Sequence, residues 1–302
     1  MSVAPADAPA GAAAPADPRA HASVARLFGD EGLARLRAAR ACVVGVGGVG
    51  SWAAEALVRS GVGAIVLIDL DHVAVSNLNR QIHALGSTLG AAKVEVMRAR
   101  LLDIAPDCRV QAVDAFIDPD NVAELVPPDC VVLDAIDAPR AKAALIALCV
   151  RRGQPLIVCG AAGGRSDPLA LAVDDLARVR GDALLAAVRA RLRREHGFSR
   201  EPGRAFGVSA VHSRQPPAAG APVAGAQAAG APLACAGYGS LVTVTAAMGL
   251  AAAARLIDAI VRGERGVGGG RQSADAARRH VVCLPPAMPS PPEPRSCPST
   301  LP

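Results

Sequence analysis

Five short apolar runs limit the folds that are open to this chain. They cover residues 41–46, 64–69, 109–115, 130–135 and 155–160. Runs rich in Val, Ile and Leu are typical of strands buried on both faces, and most of the segments between them are long enough for a crossover helix. Strands joined by such helices pair in parallel. The sequence therefore predicts an α/β fold with a Rossmann-like, doubly wound, mostly parallel sheet.

Three other segments are rich in Ala, Pro and Gly and show no periodicity. They are residues 1–18, 213–232 and 284–302. These segments lack the apolar side chains that would offset the entropy lost on ordering them. We expect a disordered N-terminal tail, a low-complexity insert and a disordered C-terminal tail, with one domain spanning 19–283.

The composition excludes several classes of protein. With 302 residues, 51% of them hydrophobic, the chain can bury a substantial core. One Trp, one Tyr and four Phe are too few for base-stacking surfaces, so any contact with nucleic acid should be electrostatic. The eight cysteines form no C-x-x-C pair, which argues against a structural zinc and favours a reduced, cytoplasmic protein without a signal peptide.

Residues 233–254 carry no charged side chain, and about 20 such residues are enough to cross a bilayer. The stretch is built mainly from small residues, with few Leu or Ile, so its transfer into lipid would be weakly favourable. A helix that is apolar all round is also typical of a core or a subunit interface. We expect a buried helix in a soluble homodimer without stable membrane insertion; membrane association is the alternative.

Two further segments have helical features. In residues 88–104, Lys93 and Arg100 lie off an apolar stripe. The stripe consists of residues three and four apart: Val94, Met97, Leu101 and Ile104. A second helix is predicted over 182–196, with Asp182 as its N-cap.

The second helix ends in four arginines, namely Arg189, Arg191, Arg193 and Arg194. A solvated helix face is the common fate of such a run, and contact with the phosphate backbone of RNA is the alternative. Of the 32 basic residues, only Lys93 and Lys142 are lysines. We therefore treat those two lysines as candidate functional residues.

A glycine-rich turn follows the first predicted strand and leads into a helix. The turn contains Gly45, Gly47, Gly48 and Gly50. Glycines let the backbone approach a phosphate, and the amides at a helix N-terminus favour its negative charge. Asp69 ends the next strand, where an acidic residue usually accepts the ribose hydroxyls. This pattern predicts an adenosine-containing ligand and does not distinguish NAD from ATP.

The residues after Asp69 favour ATP. Asn77, Asn79, Arg80 and Gln81 are followed by Lys93, and two cations just beyond a ribose-binding acid suit a triphosphate.

A further acid points to a metal ion. Asp137 follows the fourth strand at the edge where open α/β sheets bind ligands, so its carboxylate is a candidate ligand for Mg²⁺. Asp134 lies inside that strand and is more consistent with a structural role.

These residues stand in motifs that resemble a known family. The motifs are GVGGVGSWAAEAL, LIDLD, SNLNRQIHAL, GAAKVEVM, LDAIDAPRAKAALI and GAAGGRSDP. In this order, over about residues 26–262, they resemble the ThiF/MoeB superfamily of adenylating proteins, and within it the tRNA threonylcarbamoyladenosine dehydratase branch. The resemblance implies a ThiF-type fold and ATP-dependent adenylation of a carboxylate. For this branch, the carboxylate is the threonyl group of a modified adenosine next to the anticodon of a tRNA substrate, which cyclises with loss of AMP.

The resemblance also assigns roles to the candidate residues. It implies that the Gly45–Gly50 loop binds phosphate and that Asp69 binds the ribose. It implies a catalytic set in which Arg80 and Lys93, with Asn77, bind the phosphates and Asp137 binds Mg²⁺. The family is usually dimeric, with an upstream arginine that reaches the partner subunit's ATP. Arg19 and Arg26 are both candidates for that arginine, and the spacing leaves the choice open.

Two positions bear on the alternatives. Ala210 stands where relatives have a cysteine, so no thiol can act there, and Cys235 is expected to be a buried small residue. Adenylation of a ubiquitin-like sulfur carrier is the main alternative function, although such enzymes usually carry paired C-x-x-C motifs. A nucleotide-binding scaffold for a sulfurtransferase partner is a second alternative, and an NAD-dependent dehydrogenase is a third.

Overall fold

The computed structural model describes residues 17, 19–218, 239–264 and 266. The strands are β1 (Arg40–Val44), β2 (Ala64–Ile68), β3 (Arg109–Val113), β4 (Val131–Asp134), β5 (Leu156–Cys159), β6 (Leu171–Asp175) and β7 (Ser209–Ser213). The helices are α1 (Ala22–Ala38), α2 (Gly50–Arg59), α3 (Lys93–Ile104), α4 (Val122–Leu125), α5 (Pro139–Arg152), α6 (Ala183–Glu195) and α7 (Val242–Arg262).

The strands form one sheet in the order β3-β2-β1-β4-β5-β7-β6. Each neighbouring pair is parallel except β6 and β7, which are antiparallel. This arrangement confirms the predicted α/β fold, and the five apolar runs are β1 to β5. The strands β6 and β7 were not predicted. Their sequences, LAVDD and SAVHS, are half polar, and β6 is an edge strand whose residues are only half-buried or exposed.

Helices cover both faces of the sheet. On one face, Val43 of β1 and Leu67 of β2 belong to a core that includes residues of α2, α3 and α7. On the other, Val44 and Ile68 pack with residues of α5. Adjacent residues of one strand thus point into opposite layers, as the pleat of a strand requires. A third cluster joins α5 to α6.

The uncharged stretch forms most of α7, and α7 packs into the core of its own chain. Its buried residues include Val244, Met248 and Leu256. Gly249 permits the close approach to α2, because a Cβ at this position would overlap the carbonyl oxygen of Val49. Within the described residues, α7 alone is long and apolar enough to cross a membrane, but more than half of that apolar window is buried inside the protein. The prediction of a buried helix is confirmed; residues 233–238 lie outside the described residues.

Two predicted boundaries differ from the structure. The helix predicted from residue 88 begins at Lys93, because Gly86–Thr88 form a 3-10 turn and Gly90 has a φ of +83°. The insert is expected from residue 213, but the described fold includes residues 213–215. Ser213 is fully buried at the end of β7, and the Gln215 side chain accepts hydrogen bonds from the backbone N–H groups of residues 166 and 167. The predicted helix 182–196 matches α6 to within one residue.

Candidate active site

The carboxyl ends of β1, β2 and β4 meet at the centre of the sheet. β1 pairs with β2 on one side and with β4 on the other, and the helices that follow β1 and β4 cover opposite faces. Open α/β sheets bind ligands at such a reversal of strand order. The glycine loop follows β1, Asp69 follows β2 and Asp137 follows β4. The structure therefore brings the three predicted segments to one edge.

The first and last glycines of the loop are required by its geometry. Gly45 has a φ of +87°, and a Cβ there would lie 3.0 Å from the carbonyl carbon and oxygen of Ala135. A Cβ at Gly50 would overlap the carbonyl oxygen of Gly45. Gly50 is also the first residue of α2, so the tight turn directs the amino end of this helix to the sheet edge. This is the arrangement that favours a bound phosphate.

Asp69 ties the glycine loop to the segment after β2. Its Oδ2 accepts a hydrogen bond from the Val46 N–H at 2.6 Å, and its Oδ1 accepts one from the Asp71 N–H at 2.9 Å. Burial raises the pKa of Asp69, although both N–H groups and the nearby Lys93 favour the charged form. Each carboxylate oxygen has a second lone pair, so the group retains capacity to accept a ribose hydroxyl.

Lys93 is buried, which the apolar stripe did not predict. It is only 5% exposed, and its Nζ forms an ion pair with Asp71 at 2.7 Å. Its backbone N–H donates to the carbonyl oxygen of Asp71, so the start of α3 folds back on the segment after β2. Asp69 and Asp71 thus connect the glycine loop to the ammonium group of Lys93.

Arg80 lies against the glycine loop. A Cβ at Gly48 would be 3.2 Å from both Cγ and Cδ of Arg80. Its guanidinium donates to the carbonyl oxygen of Ser76 at 2.6 Å and to Oδ1 of Asn79 at 2.9 Å. The two predicted phosphate-binding cations therefore both belong to the segments around the glycine loop.

Asn77 and Gln81 are buried beside Arg80. The Asn77 Oδ1 accepts a hydrogen bond from the Ala74 N–H at 3.0 Å, so this side chain holds the turn that carries Arg80. The Gln81 carboxamide faces the loop, because its Nε2 lies 4.0 Å from a Cβ placed on Gly47. The sequence pattern assigned no role to Gln81. Its position directly after Arg80 was the signal that could have identified it as a residue of this site.

The loop after β4 contains an exposed carboxylate and a buried one. Asp137 is exposed at the sheet edge. Asp134 is fully buried and pairs with Lys142 of α5 at 2.8 Å. Burial raises the pKa of Asp134, and the Lys142 charge opposes that shift. The structural role expected for Asp134 agrees with this pairing. The sequence marked Lys142 as a candidate functional residue and gave it no specific role.

The two candidate interface arginines lie at the start of the described chain. Arg19 is exposed, and its Nε donates to the Asp17 carboxylate at 3.0 Å. Arg26, on α1, donates to Oγ of Ser23 at 3.3 Å. Both partners are close in sequence, so the structure does not choose between Arg19 and Arg26.

The arginines of α6 are partly engaged within the chain. Arg191 and Arg194 both contact Glu195, at 2.9 Å and 2.6 Å. The Arg193 guanidinium lies over the Phe206 ring, 5.4 Å from its centroid. Arg194 is the most exposed of these three and is free to reorient towards an anion, since surface ion pairs are weak.

The described cysteines are not suited to nucleophilic catalysis. Cys42, Cys108, Cys130, Cys149 and Cys159 are all buried. Burial raises the pKa of Cys130 to about 11 and that of Cys159 to about 12, which suppresses the reactive thiolate. Ala210 is a fully buried core residue of β7, and Cys235 lies outside the described residues. In the part of the chain that the structure describes, no group of three or more His, Cys, Asp or Glu side chains could hold a metal ion.

Comparison with known proteins gives a consistent result. The ThiF family model matches residues 20–280. The tRNA threonylcarbamoyladenosine dehydratase of Haemophilus influenzae is 41% identical over 240 residues, which cover 79% of this chain and 92% of the relative. The protein of the same name from Escherichia coli is 47% identical over 236 residues, which cover 76% of this chain and 88% of the relative.

Solved structures agree with the sequence comparison. The crystal structure of the E. coli tRNA N6-threonylcarbamoyladenosine dehydratase in complex with ATP matches with a TM-score of 0.72 and 42% identity, over 81% of this chain and 95% of that one. A structure of the same enzyme in complex with AMP matches equally well.

Proposed function

The chain belongs to the ThiF family, and we propose that it is an ATP-dependent tRNA threonylcarbamoyladenosine dehydratase. One observation carries the proposal. This chain is 47% identical to the E. coli dehydratase, and its candidate nucleotide-binding residues lie together at one edge of the sheet. They are the glycine loop, Asp69, Arg80, Lys93 and Asp137. The ATP and AMP complexes of that relative support ATP as the cosubstrate.

The proposed reaction has two steps. In the first, an oxygen of the threonyl carboxylate attacks the α-phosphorus of ATP, and pyrophosphate leaves. In the second, a nucleophilic atom of the same modified side chain attacks the activated carbonyl carbon, loses its proton, and expels AMP. The net change is the loss of one water from the nucleoside. Because the ring closure is intramolecular, it needs positioning and no enzyme thiol, which fits the buried cysteines.

The cations and the helix terminus stabilise the charge that moves in these steps. Arg80 and Lys93 would neutralise the triphosphate and the departing pyrophosphate, and the amides at the start of α2 would bind phosphate oxygens. Asp69 would orient the ribose. Lys93 is released for this role if its exposed partner, Asp71, turns to solvent.

Mg²⁺ fits the donor set at this edge. Proteins usually hold this ion by one or two carboxylates together with substrate phosphates, so a single exposed carboxylate beside a phosphate loop is sufficient. We assign Asp137 as the residue that would hold it. The ion supplies neutralisation of phosphate charge when it is bound.

A homodimer and the tRNA contact complete the proposal. Arg19 or Arg26 of one subunit would reach the nucleotide of the other, and the arginines of α6, of which Arg194 is exposed, would contact the RNA backbone. The proposed ThiF-type domain spans 19–283. A cytoplasmic location is proposed because the substrate is a tRNA. A sulfurtransferase partner stays an untested prediction.

The sulfur-carrier alternative is not favoured. Both relatives described above, which align with about three quarters of this chain, are named as dehydratases. ATP–pyrophosphate exchange distinguishes the two functions. We expect exchange that depends on tRNA carrying threonylcarbamoyladenosine. The same tRNA without the modification is the control. Exchange driven instead by a sulfur-carrier protein, and not by modified tRNA, would overturn the proposed function.

A further inference from the structure

Lys142 is buried more deeply than its charge would lead us to expect. Its side chain and that of Asp134 are both 0% exposed. Burying an ion pair carries a desolvation cost that the mutual attraction often only just offsets, and an apolar pair of similar volume is often at least as stable. A contribution to stability therefore does not by itself explain this pair. The groups that the ammonium holds in place offer another explanation.

The side-chain hydrogen bonds of Lys142 all go to one short turn. Its Nζ donates to Oδ1 of Asp134 at 2.8 Å, to the carbonyl oxygen of Ile136 at 2.9 Å and to the carbonyl oxygen of Asp134 at 3.3 Å. An ammonium group has three N–H donors, so these acceptors account for all of them. The Ile136 N–H also donates to Oδ1 of Asp134, at 3.2 Å. The first turns of α5 are thereby tied to residues 134–136, and the next residue is Asp137.

The same turn supports the glycine loop. The Ala135 N–H donates to the carbonyl oxygen of Val44 at 2.8 Å. Gly45 lies so close that a Cβ there would be 3.0 Å from the carbonyl group of Ala135 and 3.1 Å from the nitrogen of Ile136. A shift of the peptide between residues 135 and 136 would therefore move both the phosphate loop and the segment that carries Asp137.

We infer that Lys142 is a positioning residue that sets the Asp137 carboxylate relative to the Gly45 loop. It acts through Asp134 and the carbonyl oxygen of Ile136, without touching the nucleotide itself. The inference rests on the proposed function, because it takes Asp137 as the Mg²⁺ ligand. Groups that orient a metal ligand in this way typically contribute about 10-fold to 100-fold to metal affinity.

The test measures ATP binding by titration calorimetry on the full chain, once with Mg²⁺ and once with EDTA. The ratio of the two dissociation constants reports how far the metal tightens binding. Lys142→Met removes the ammonium and keeps an unbranched side chain. Arg140→Met is the matched control, since it removes an exposed cation from the same helix, two residues earlier. Asp137→Ala gives the ratio expected when the metal ligand is lost.

We expect Lys142→Met to lower the ratio by about 10-fold or more, towards that of Asp137→Ala. Its affinity for ATP in EDTA should stay close to that of Arg140→Met. Because Lys142→Met leaves Asp134 buried without its ionic partner, the double variant Asp134→Asn with Lys142→Met is measured beside it, and it should show the same lowered ratio. A loss of packing alone would lower the melting temperature without a selective effect on the ratio.

Two results would overturn the inference in different ways. A wild-type ratio in both Lys142 variants, with a lowered ratio in Asp137→Ala, would remove the positioning role and leave the metal assignment standing. A ratio that Asp137→Ala does not change would overturn the metal assignment, and the role of Lys142 with it. ATP that binds in EDTA in either case would still support the nucleotide site.

Discussion

Replacing Lys93 by Met should remove most of the adenylation rate and little of the stability. Met keeps the buried aliphatic stem and deletes the ammonium group. Two opposite charges 4 Å apart attract by about 4 kcal/mol at the effective dielectric near a protein surface, against about 1 kcal/mol in water. Loss of one preorganised charge-stabilising group typically costs about 100-fold to 1000-fold in rate. Since Lys93 is only 5% exposed, we expect a loss of AMP formation in that range.

The effect on folding should be much smaller. In the unliganded chain the ammonium pairs with Asp71, whose side chain is 56% exposed. Because Asp71 is exposed, and because Met also removes the cost of burying the ammonium group, the net loss of stability should be about 1 kcal/mol or less. In domains of this size, a change of about 1 kcal/mol in the free energy of unfolding shifts the melting temperature by a few degrees. The melting temperature of Lys93→Met should therefore stay within a few degrees of the wild-type value.

The assay is single-turnover formation of AMP with modified tRNA, together with thermal melting. Asp71→Asn is the matched control, because it weakens the same ion pair and keeps the lysine charge. It should retain AMP formation. A folded Lys93→Met protein that forms AMP at the wild-type rate would refute the reasoning, and so would an equal loss of rate in Asp71→Asn.

Three further predictions concern the rest of the molecule. If α6 contacts tRNA, replacing Arg191 and Arg194 by Ala should lower the salt dependence of tRNA binding by a slope of about 2 and leave ATP binding unchanged; an unchanged slope returns this helix to a solvated face. Gly249→Ala should destabilise the fold by about 1–3 kcal/mol in urea unfolding, because a Cβ there overlaps the backbone before α2, whereas Gly239→Ala, with open space around it, should be neutral. Burial lowers the pKa of His83 to about 4, so the unfolded chain takes up a proton at a higher pH than the folded one. The free energy of unfolding should therefore fall by up to roughly 3 kcal/mol as the pH drops from 6.5 to 4. His83→Gln should lose that part of the pH dependence, and the same pH dependence of stability in the variant and the wild type would contradict the assignment.

The order of the main elements could be predicted from the sequence because the runs of β1, β2, β4 and β5 are largely buried on both faces, whereas β3, at the edge of the sheet, is half-buried or exposed. Such runs are visible without any knowledge of the partners of a strand. β6 and β7 lack that signal, since Asp174 and His212 place polar groups in them, and a hydrogen-bonded contact between those two side chains is what accommodates the polarity. That contact depends on strand pairing between distant segments, which local patterns do not reveal.

The site could be predicted in part for a related reason. Carboxyl ends of parallel strands meet at one edge, so Gly45, Asp69 and Asp137 could be placed at the same edge from the predicted parallel strands alone. The burial of Lys93 could not, because it arises where His72 and Ala92 form an isolated bridge and the chain folds back on itself. The role inferred for Lys142 depends on hydrogen bonds from its ammonium group to the end of the preceding strand. The rarity of lysine was the one feature of the sequence that pointed to this residue.

Mass analysis of the tRNA nucleosides tests the proposed function most directly. The protein is incubated with ATP, Mg²⁺ and tRNA carrying threonylcarbamoyladenosine, and the nucleosides and free AMP are then quantified. The account predicts a modified nucleoside lighter by one water, with one AMP released for each nucleoside converted, and neither product when ATP is omitted. An unchanged nucleoside mass with a folded, ATP-binding protein would contradict the account.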